Sequence, residues 1–547
     1  MAISCASFLF VAILASIIII PFLPQKNVLK IYNWEDYMVD DAGVRFEKWY
    51  KEQTGKTIKV EFSSFSTNEE AYSQIKTKKE NYDIFVPSDY MIDRMRKEEL
   101  LLPLNRDILF ENGNEYDIFN QDIVEIIGDS YDPNFGQLDQ NGNIIQDNNP
   151  IYDQNSGKPI KDDHPIYSVP YLWGTVGILY DPTRGTTLVT DEDALTWESL
   201  FSDKYKNKIY MKDSVHDAFA IGSIYANFPT RLKPLLLPIE IAGQDEYGNN
   251  LYKQAPREAN ATPIHIQDSD IFVDDNGILI DPNGNYITKS EYKDSDNNDY
   301  LYTQEYLEEL RAVISDTSDE NIEITRQSLI SQRKNLLKYA NEDSKDAMAV
   351  GGEMAGLLSL AWSTDAGYAM ADNSNLRFQV PKEGSNIYID AFVIPKYARN
   401  YEAANYFLKF ISLFDEENED LQIPFENMDY AGAPSPVTAA ADAYKEYLEE
   451  DPDEFFVDKQ GINEEFKQNY IDMFFAPAEV FKRTAYFLDF AEASITINKM
   501  WINVKAGQTE NDQIHPAILI TVAVIIVGGI FVWVCFTKSK KSKRRHK

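Results

Sequence analysis

From Val28 to Pro87 the chain alternates short apolar runs with amphipathic ones, and that alternation restricts the fold more than any other feature. Leu29-Lys30-Ile31-Tyr32 reads as a strand, Asp41 to Gln53 as a helix stopped at Gly55, and Thr57 to Phe62 as a second strand. Thr67-Asn68-Glu69-Glu70 has the spacing of a capping box and opens a helix expected to run through Lys79. Tyr82-Asp83-Ile84-Phe85-Val86 then supplies a third strand. The order βαβαβ predicts a parallel sheet, because each helix must cross back over a face of the sheet before the next strand can pair. Ligands of open α/β sheets sit beyond the carboxyl ends of the strands. Here those ends are the loops Asn33 to Tyr37, Ser63 to Asn68 and Pro87 to Tyr90, which are rich in rings and hydroxyls, the first of them acidic.

Two stretches interrupt the alternation. Asp132-Pro133-Asn134, Asp139-Gln140-Asn141-Gly142 and Asp153-Gln154-Asn155 mark one, and Asp274-Asp275-Asn276-Gly277 with Asp281-Pro282-Asn283-Gly284 mark the other. Such dipeptides and their neighbours favour tight turns, so hairpin insertions are predicted at about 136–165 and 238–298. Neither stretch has the ligand spacing and closing glutamate of an EF-hand, so turn chemistry rather than calcium accounts for the aspartates. Further on, Thr303 to Val313, Ile324 to Tyr339, Tyr401 to Ile411 and Ala478 to Val504 read as helices, and Asn386 to Ile394 as a strand.

Both ends of the chain differ from the middle. Ile3 to Gln25 carries no charged side chain, and Pro516 to Thr537 is apolar apart from its threonines, so each is long enough to span a bilayer as a helix. The first lacks the basic leader region of a cleaved signal and is expected to be a retained span. The second is followed by seven basic residues between Lys538 and Lys547, which favours a cytoplasmic tail and places the intervening chain outside the cell. Of 52 basic residues, 45 remain once the tail is set apart; against 88 acidic ones they leave the rest of the chain at −43. Such a surface repels nucleic acid and anionic ligands and tilts the choice toward cations. The two cysteines, Cys5 and Cys535, lie in the apolar ends, so the outer part is expected to hold together by core burial without disulfides.

Tests for catalytic chemistry return little. The five histidines are scattered singly, with no H-E-x-x-H pair and no cysteine partners. There is no P-loop, no dinucleotide fingerprint and no G-x-S-x-G elbow. With 88 acidic residues, accidental carboxylate pairs are guaranteed, and none stands out as an acid and base of a hydrolase.

Several linked motifs carry a resemblance. Tyr32-Asn33-Trp34-Glu35-Asp36-Tyr37, Ser66-Thr67-Asn68-Glu69, Tyr82 to Tyr90 with its Val86-Pro87-Ser88-Asp89-Tyr90, and Asp93-Arg94-Met95-Arg96-Lys97 follow one another in the order and spacing of one family. They resume at Tyr167 to Gly174, Asp213-Ser214, Ala361-Trp362-Ser363, Pro381-Lys382-Glu383-Gly384, Tyr388-Ile389-Asp390 and Pro434-Ser435-Pro436. The chain resembles the spermidine/putrescine-binding proteins, the polyamine-capturing components of ABC importers. That resemblance implies an α/β, two-lobed periplasmic-binding-protein-like fold of type II, each lobe a mostly parallel sheet flanked by helices, here with two terminal transmembrane helices added. The expected organisation is an anchor at 1–27, a solute-binding domain at 28–507, a tether at 508–515, a span at 516–537 and a tail at 538–547. Within the domain, one lobe would take about 28–178 and 391–435, the other about 179–390 and 436–507.

The resemblance also implies a site. Trp34, Tyr37, Trp362 and Tyr388 would form aromatic walls around a methylene chain; Asp36, Asp217 and Asp390 would meet its ammonium groups; Glu35, Ser88 and Tyr90 would line the same cleft. These residue types suit a flexible apolar chain with cationic nitrogens, which needs ring faces and a carboxylate wherever a charge comes to rest. No cofactor, metal or catalytic residue is implied; the implied partners are a polyamine, the membrane, and the permease and ATPase subunits of an importer. Two positions depart from the family: Ala433 stands where an aromatic often precedes the Pro-Ser-Pro turn, and Phe487 where a polar residue faces the ligand. The choice between spermidine and putrescine therefore stays open. A membrane-anchored polyamine sensor and an anchored hydrolase are the competing readings; the short tail argues against the first, and only abundant carboxylates speak for the second.

Overall fold

The computed structural model describes residues 27–78, 80–110, 118–124, 151–152, 159–161, 165–255, 271–294, 297–340, 342–352, 355–450 and 462–507. The expected β–α alternation opens it: strand β1 (Val28–Trp34), helix α1 (Ala42–Thr54), strand β2 (Lys59–Phe65), helix α2 (Asn68–Lys76), strand β3 (Ile84–Phe85) and helix α3 (Asp89–Lys97). β1 pairs in parallel with β2 on one side and β3 on the other. Local chemistry sets the limits of the helices. Gly55 takes a left-handed conformation (φ 72°) and returns its N–H to the Lys51 carbonyl, ending α1. The Thr67 hydroxyl accepts the Glu70 N–H and starts α2, which ends at Lys76 rather than running on to Lys79.

Further along come β4 (Ser168–Tyr180), β5 (Ile209–Lys212), α4 (Val215–Asn227), β6 (Leu336–Ala340), β7 (Leu358–Trp362), α5 (Ser363–Asp372) and β8 (Ser385–Pro395). The central strand order is β6-β5-β7-β4-β8-β3-β1-β2. β5 runs parallel to β6 and β7, as β1 does to β2 and β3, so a parallel group lies at each end. The long antiparallel pair β4 and β8 joins them. The second half of β4 pairs with β7, whereas the second half of β8 pairs with β3. Two hydrophobic cores follow from this arrangement. One gathers Leu29, Ile31, Phe85, Phe392 and Phe407; the other gathers Val176, Tyr180, Trp197, Leu358 and Trp501. The molecule is therefore two α/β lobes sharing two crossing strands.

The described residues of segment 237–301 form antiparallel strands: Leu237–Gln244 pairs with Asn250–Gln254 and Asp299–Leu301, and Phe272–Val273 pairs with Leu279–Ile280. Its turns share one device. Asp245, Asp274 and Asp281 each accept the N–H groups two and four residues ahead on one carboxylate oxygen, with a glycine of positive φ three residues after each aspartate.

Three expectations need correction. No helix among the described residues is long and apolar enough to cross a membrane, against the two terminal transmembrane helices. The longest described helix, Asp319–Arg333, has 15 residues and so spans about 22 Å, short of a hydrocarbon core of about 30 Å. The apolar segments on which the expectation fell, 3–25 and 516–537, lie outside the described residues. The helix expected from Ile324 to Tyr339 ends at Arg333, because Leu336 to Ala340 is taken into the sheet as a partner of β5. The long helix expected over Ala478 to Val504 is broken: Thr484-Ala485 pairs with the start of β8, and a helix resumes only at Ser494–Ala506. In both places sheet pairing outweighs helical periodicity.

Candidate functional site

β8 carries Tyr388 and Asp390 on one face, two residues apart, where the strand passes between the lobes. A bulge between Asp390 and Ala391 interrupts its pairing with β4 at that point. Asp390 is only 4% exposed, and its two carboxylate oxygens accept the Tyr37 hydroxyl (2.8 Å) and the Ser88 hydroxyl (2.6 Å). Both donors are held from behind. The Tyr171 hydroxyl donates to the Tyr37 carbonyl, and Asn68, the first residue of α2, donates to Ser88 Oγ (3.1 Å) while accepting the Ser88 N–H (3.1 Å). Burial raises the Asp390 carboxyl to about 6, with the two hydroxyls pulling the other way.

A second carboxylate, Asp89, begins α3. Its oxygens accept the N–H groups of Tyr90 (2.6 Å) and of Ile389 in β8 (3.3 Å). It is raised well above the usual carboxylate range, by burial first and then by the neighbouring charges of Asp390 and Asp217. The third, Asp217, lies in the first turn of α4, which Ser214 caps by accepting the Asp217 N–H (3.3 Å). That position favours a negative charge through the helix dipole. Asp217 accepts the Trp362 indole N–H (3.2 Å). Among the described residues, no lysine or arginine forms an ion pair with Asp89, Asp217 or Asp390, and no group of three His, Cys, Asp or Glu is placed to hold a metal ion.

Rings surround these carboxylates. Trp362, the last residue of β7, lies 6.0 Å from Tyr388 at 52°. The Tyr388 hydroxyl donates to Thr364 (3.1 Å), and its pKa is raised by burial. Gly174 faces Tyr388 across the β4–β8 pair; a Cβ there would stand 2.3 Å from the tyrosine oxygen and 2.6 Å from Ser363 Oγ, so only glycine leaves the ring its place. From the first lobe, Tyr90 reaches across to pack at a tilt on His216 of the second (4.3 Å, 30°), which stacks in turn on Phe490 (4.5 Å, 4°). The Tyr90 hydroxyl donates to Glu69 (3.1 Å). Burial pushes His216 below its ordinary pKa, against the opposing charges of Glu69, Asp217 and Asp489.

Of the expected site residues, Tyr37, Ser88, Tyr90, Asp217, Trp362, Tyr388 and Asp390 meet in this connected set. Trp34 packs on Phe65 (4.4 Å), with its buried indole N–H lacking a hydrogen-bond partner among the described residues. Glu35 and Asp36 are exposed and make none of these hydrogen bonds; Asp36 adopts a positive φ (52°) that turns the chain from β1 toward Tyr37. Asp89, His216 and Asn68 were not among the expected site residues. For Asp89 a signal existed, since it lies in the strand-end loop Pro87 to Tyr90; His216, a single histidine in an unremarkable stretch, offered none. Neither departure from the family pattern is at the surface: Ala433 and Phe487 are both buried, Phe487 with its ring 5.8 Å from His216.

No protein-family model matches the chain. The spermidine/putrescine-binding periplasmic protein of Salmonella typhimurium is 28% identical over 201 residues, which is 36% of this chain and 44% of that protein. The match thus spans less than half of that relative's length. The putrescine-binding periplasmic protein SpuD of Pseudomonas aeruginosa is 22% identical over 488 residues, 88% of this chain and 93% of that protein. Among solved structures, a spermidine/putrescine ABC transporter substrate-binding protein of Streptococcus pneumoniae aligns with a TM-score of 0.49 and 21% identity, covering 88% of this chain and 100% of that one. In sequence, the chain is a relative of curated bacterial proteins named for binding spermidine and putrescine.

Proposed function

We propose that this protein is a polyamine-binding protein of an ABC importer, not an enzyme, which takes its ligand between the two lobes outside the cell or in the periplasm and passes it to permease and ATPase subunits. The observation that carries the reading is the set of three buried carboxylates, Asp89, Asp217 and Asp390, with the charges of Asp217 and Asp390 close enough to bear on Asp89, flanked by Trp362, Tyr388, Tyr37 and Tyr90. Burying several like charges is costly unless cations join them. A linear amine with ammonium groups separated by methylenes supplies both parts: charges for the carboxylates and an apolar body for the rings. The names of the relatives point the same way. The test is calorimetric titration of the full chain with putrescine and with spermidine. Saturable binding of at least one amine is expected; no heat with either, together with binding of a sugar or an anion, refutes the reading.

A further inference from the structure

Lys212 closes β5 and is 3% exposed, an uncommon burial for a lysine. Its ammonium lies 3.4 Å from the centroid of the Trp362 ring and forms an ion pair with Asp365 in the first turn of α5. Asp365 is itself 8% exposed. A ring face plus a carboxylate is the pair of contacts that an amine nitrogen requires. Lys212 therefore satisfies, from within the chain, one complete ammonium-binding position on the same indole that reaches Asp217 through its N–H and faces Tyr388.

We propose that Lys212 is a specificity-determining residue of the polyamine site, an internal cation that takes the place of one ligand nitrogen at Trp362. The inference rests on the polyamine reading above and goes beyond it by fixing which amine is preferred. An indole presents one quadrupole, and a second cation brought to the same ring meets the repulsion of the first at a short distance in a site of low polarity. A triamine must place one more charge along the cleft than a diamine, and Lys212 has used the ring and the carboxylate that would receive it. The site accordingly selects a diamine over a triamine. The Asp365 carboxylate is already paired with Lys212 and so is not free to receive a ligand nitrogen at this ring.

The test compares dissociation constants for putrescine and spermidine by calorimetry in the wild-type chain, in Lys212→Met, and in Lys212→Gln, which can still hydrogen-bond Asp365 if the methionine variant fails to fold. The wild-type chain is expected to prefer putrescine. Either variant should move the putrescine-to-spermidine affinity ratio toward spermidine by about tenfold or more, because removing a neighbouring cation helps the ligand with more charges most. A general loosening of the site would weaken both amines together and leave the ratio in place. A ratio that neither variant moves overturns the role of Lys212 and leaves polyamine capture standing. A wild-type chain that binds neither amine overturns the capture reading instead.

Discussion

Replacing Asp390 by asparagine should make the ligand-free protein more stable and the ligand weaker, and the two effects have one origin. The carboxyl is raised from 3.8 to about 6 because it is buried, which is a net figure that already includes the help of the Tyr37 and Ser88 hydroxyls. A group with a raised folded-state pKa contributes stability that is fully present below its unfolded value near 3.8 and is lost as the pH climbs through about 6. The difference corresponds to about 3 kcal/mol, at about 1.4 kcal/mol per pH unit between the two values. Asparagine resembles the neutral carboxyl in size and polarity. Asp390→Asn and the wild type should therefore unfold at nearly the same urea concentration at pH 4, and the variant should gain up to about 3 kcal/mol over the wild type by pH 8. Unfolding followed by tryptophan fluorescence across that range reads Asp390 together with the relief of Asp89, whose carboxyl Asp390 raises and which adds to the gain with the same sign, whereas Glu383, whose shift does not involve Asp390, is common to both proteins and cancels. Titration with putrescine should show the opposite sign, a loss of one to a few kcal/mol, the usual worth of a charge-assisted contact. A stability difference that stays flat between pH 4 and pH 8 refutes the burial argument; unchanged ligand affinity refutes the place of Asp390 in the site.

Gly174→Ala should destabilise the fold by about 1–3 kcal/mol, the cost of overpacking a filled site, and weaken amine binding as Tyr388 is displaced, measurable by thermal unfolding and titration of one sample. Asp83→Ala should cost about 3 kcal/mol or more, because its buried carboxylate accepts the N–H groups of Lys30, Arg399 and Asn400 and the Asn400 side-chain amide, all of which lose their acceptor; an effect under about 1 kcal/mol in urea unfolding contradicts this. Arg94→Ala removes an ion pair that joins α3 of the first lobe to Asp489 beside the second-lobe stack (3.7 Å). Its effect on stability should stay under about 1 kcal/mol, while ligand release in stopped-flow displacement speeds up severalfold and association is nearly unchanged.

Much of the first lobe was legible in the sequence because its signals are local. The Thr67 cap, the Gly55 stop and the apolar runs at Leu29 and Ile84 each act within a few residues of themselves. Tyr339 and Thr484 were misread for the opposite reason: their strand state is imposed by partners more than 90 residues away in the sequence, at Met211 and Ser385, and nothing near them announces it. The site divides the same way. The strand-end loops at Asn33 and Pro87 could be located from periodicity, but the hydrogen bonds from Tyr37 and Ser88 to Asp390 span 353 and 302 residues and arise only when β8 crosses beside β3. Lys212 and Asp365, 153 residues apart, form a pair that no spacing rule anticipates.

The crossing of β4 and β8 also governs how the molecule can be divided. β4 pairs with β7 of the second lobe along its second half and β8 pairs with β3 of the first lobe near its end, while the two pair with each other, so neither lobe owns a complete set of strands. A fragment carrying either lobe alone would keep severed strand ends with unpaired backbone groups, an invitation to self-association. The two lobes are thus obliged to be made, folded and lost together, and Asp390, seated at the bulge in this shared pair, belongs to the one element that neither lobe can shed.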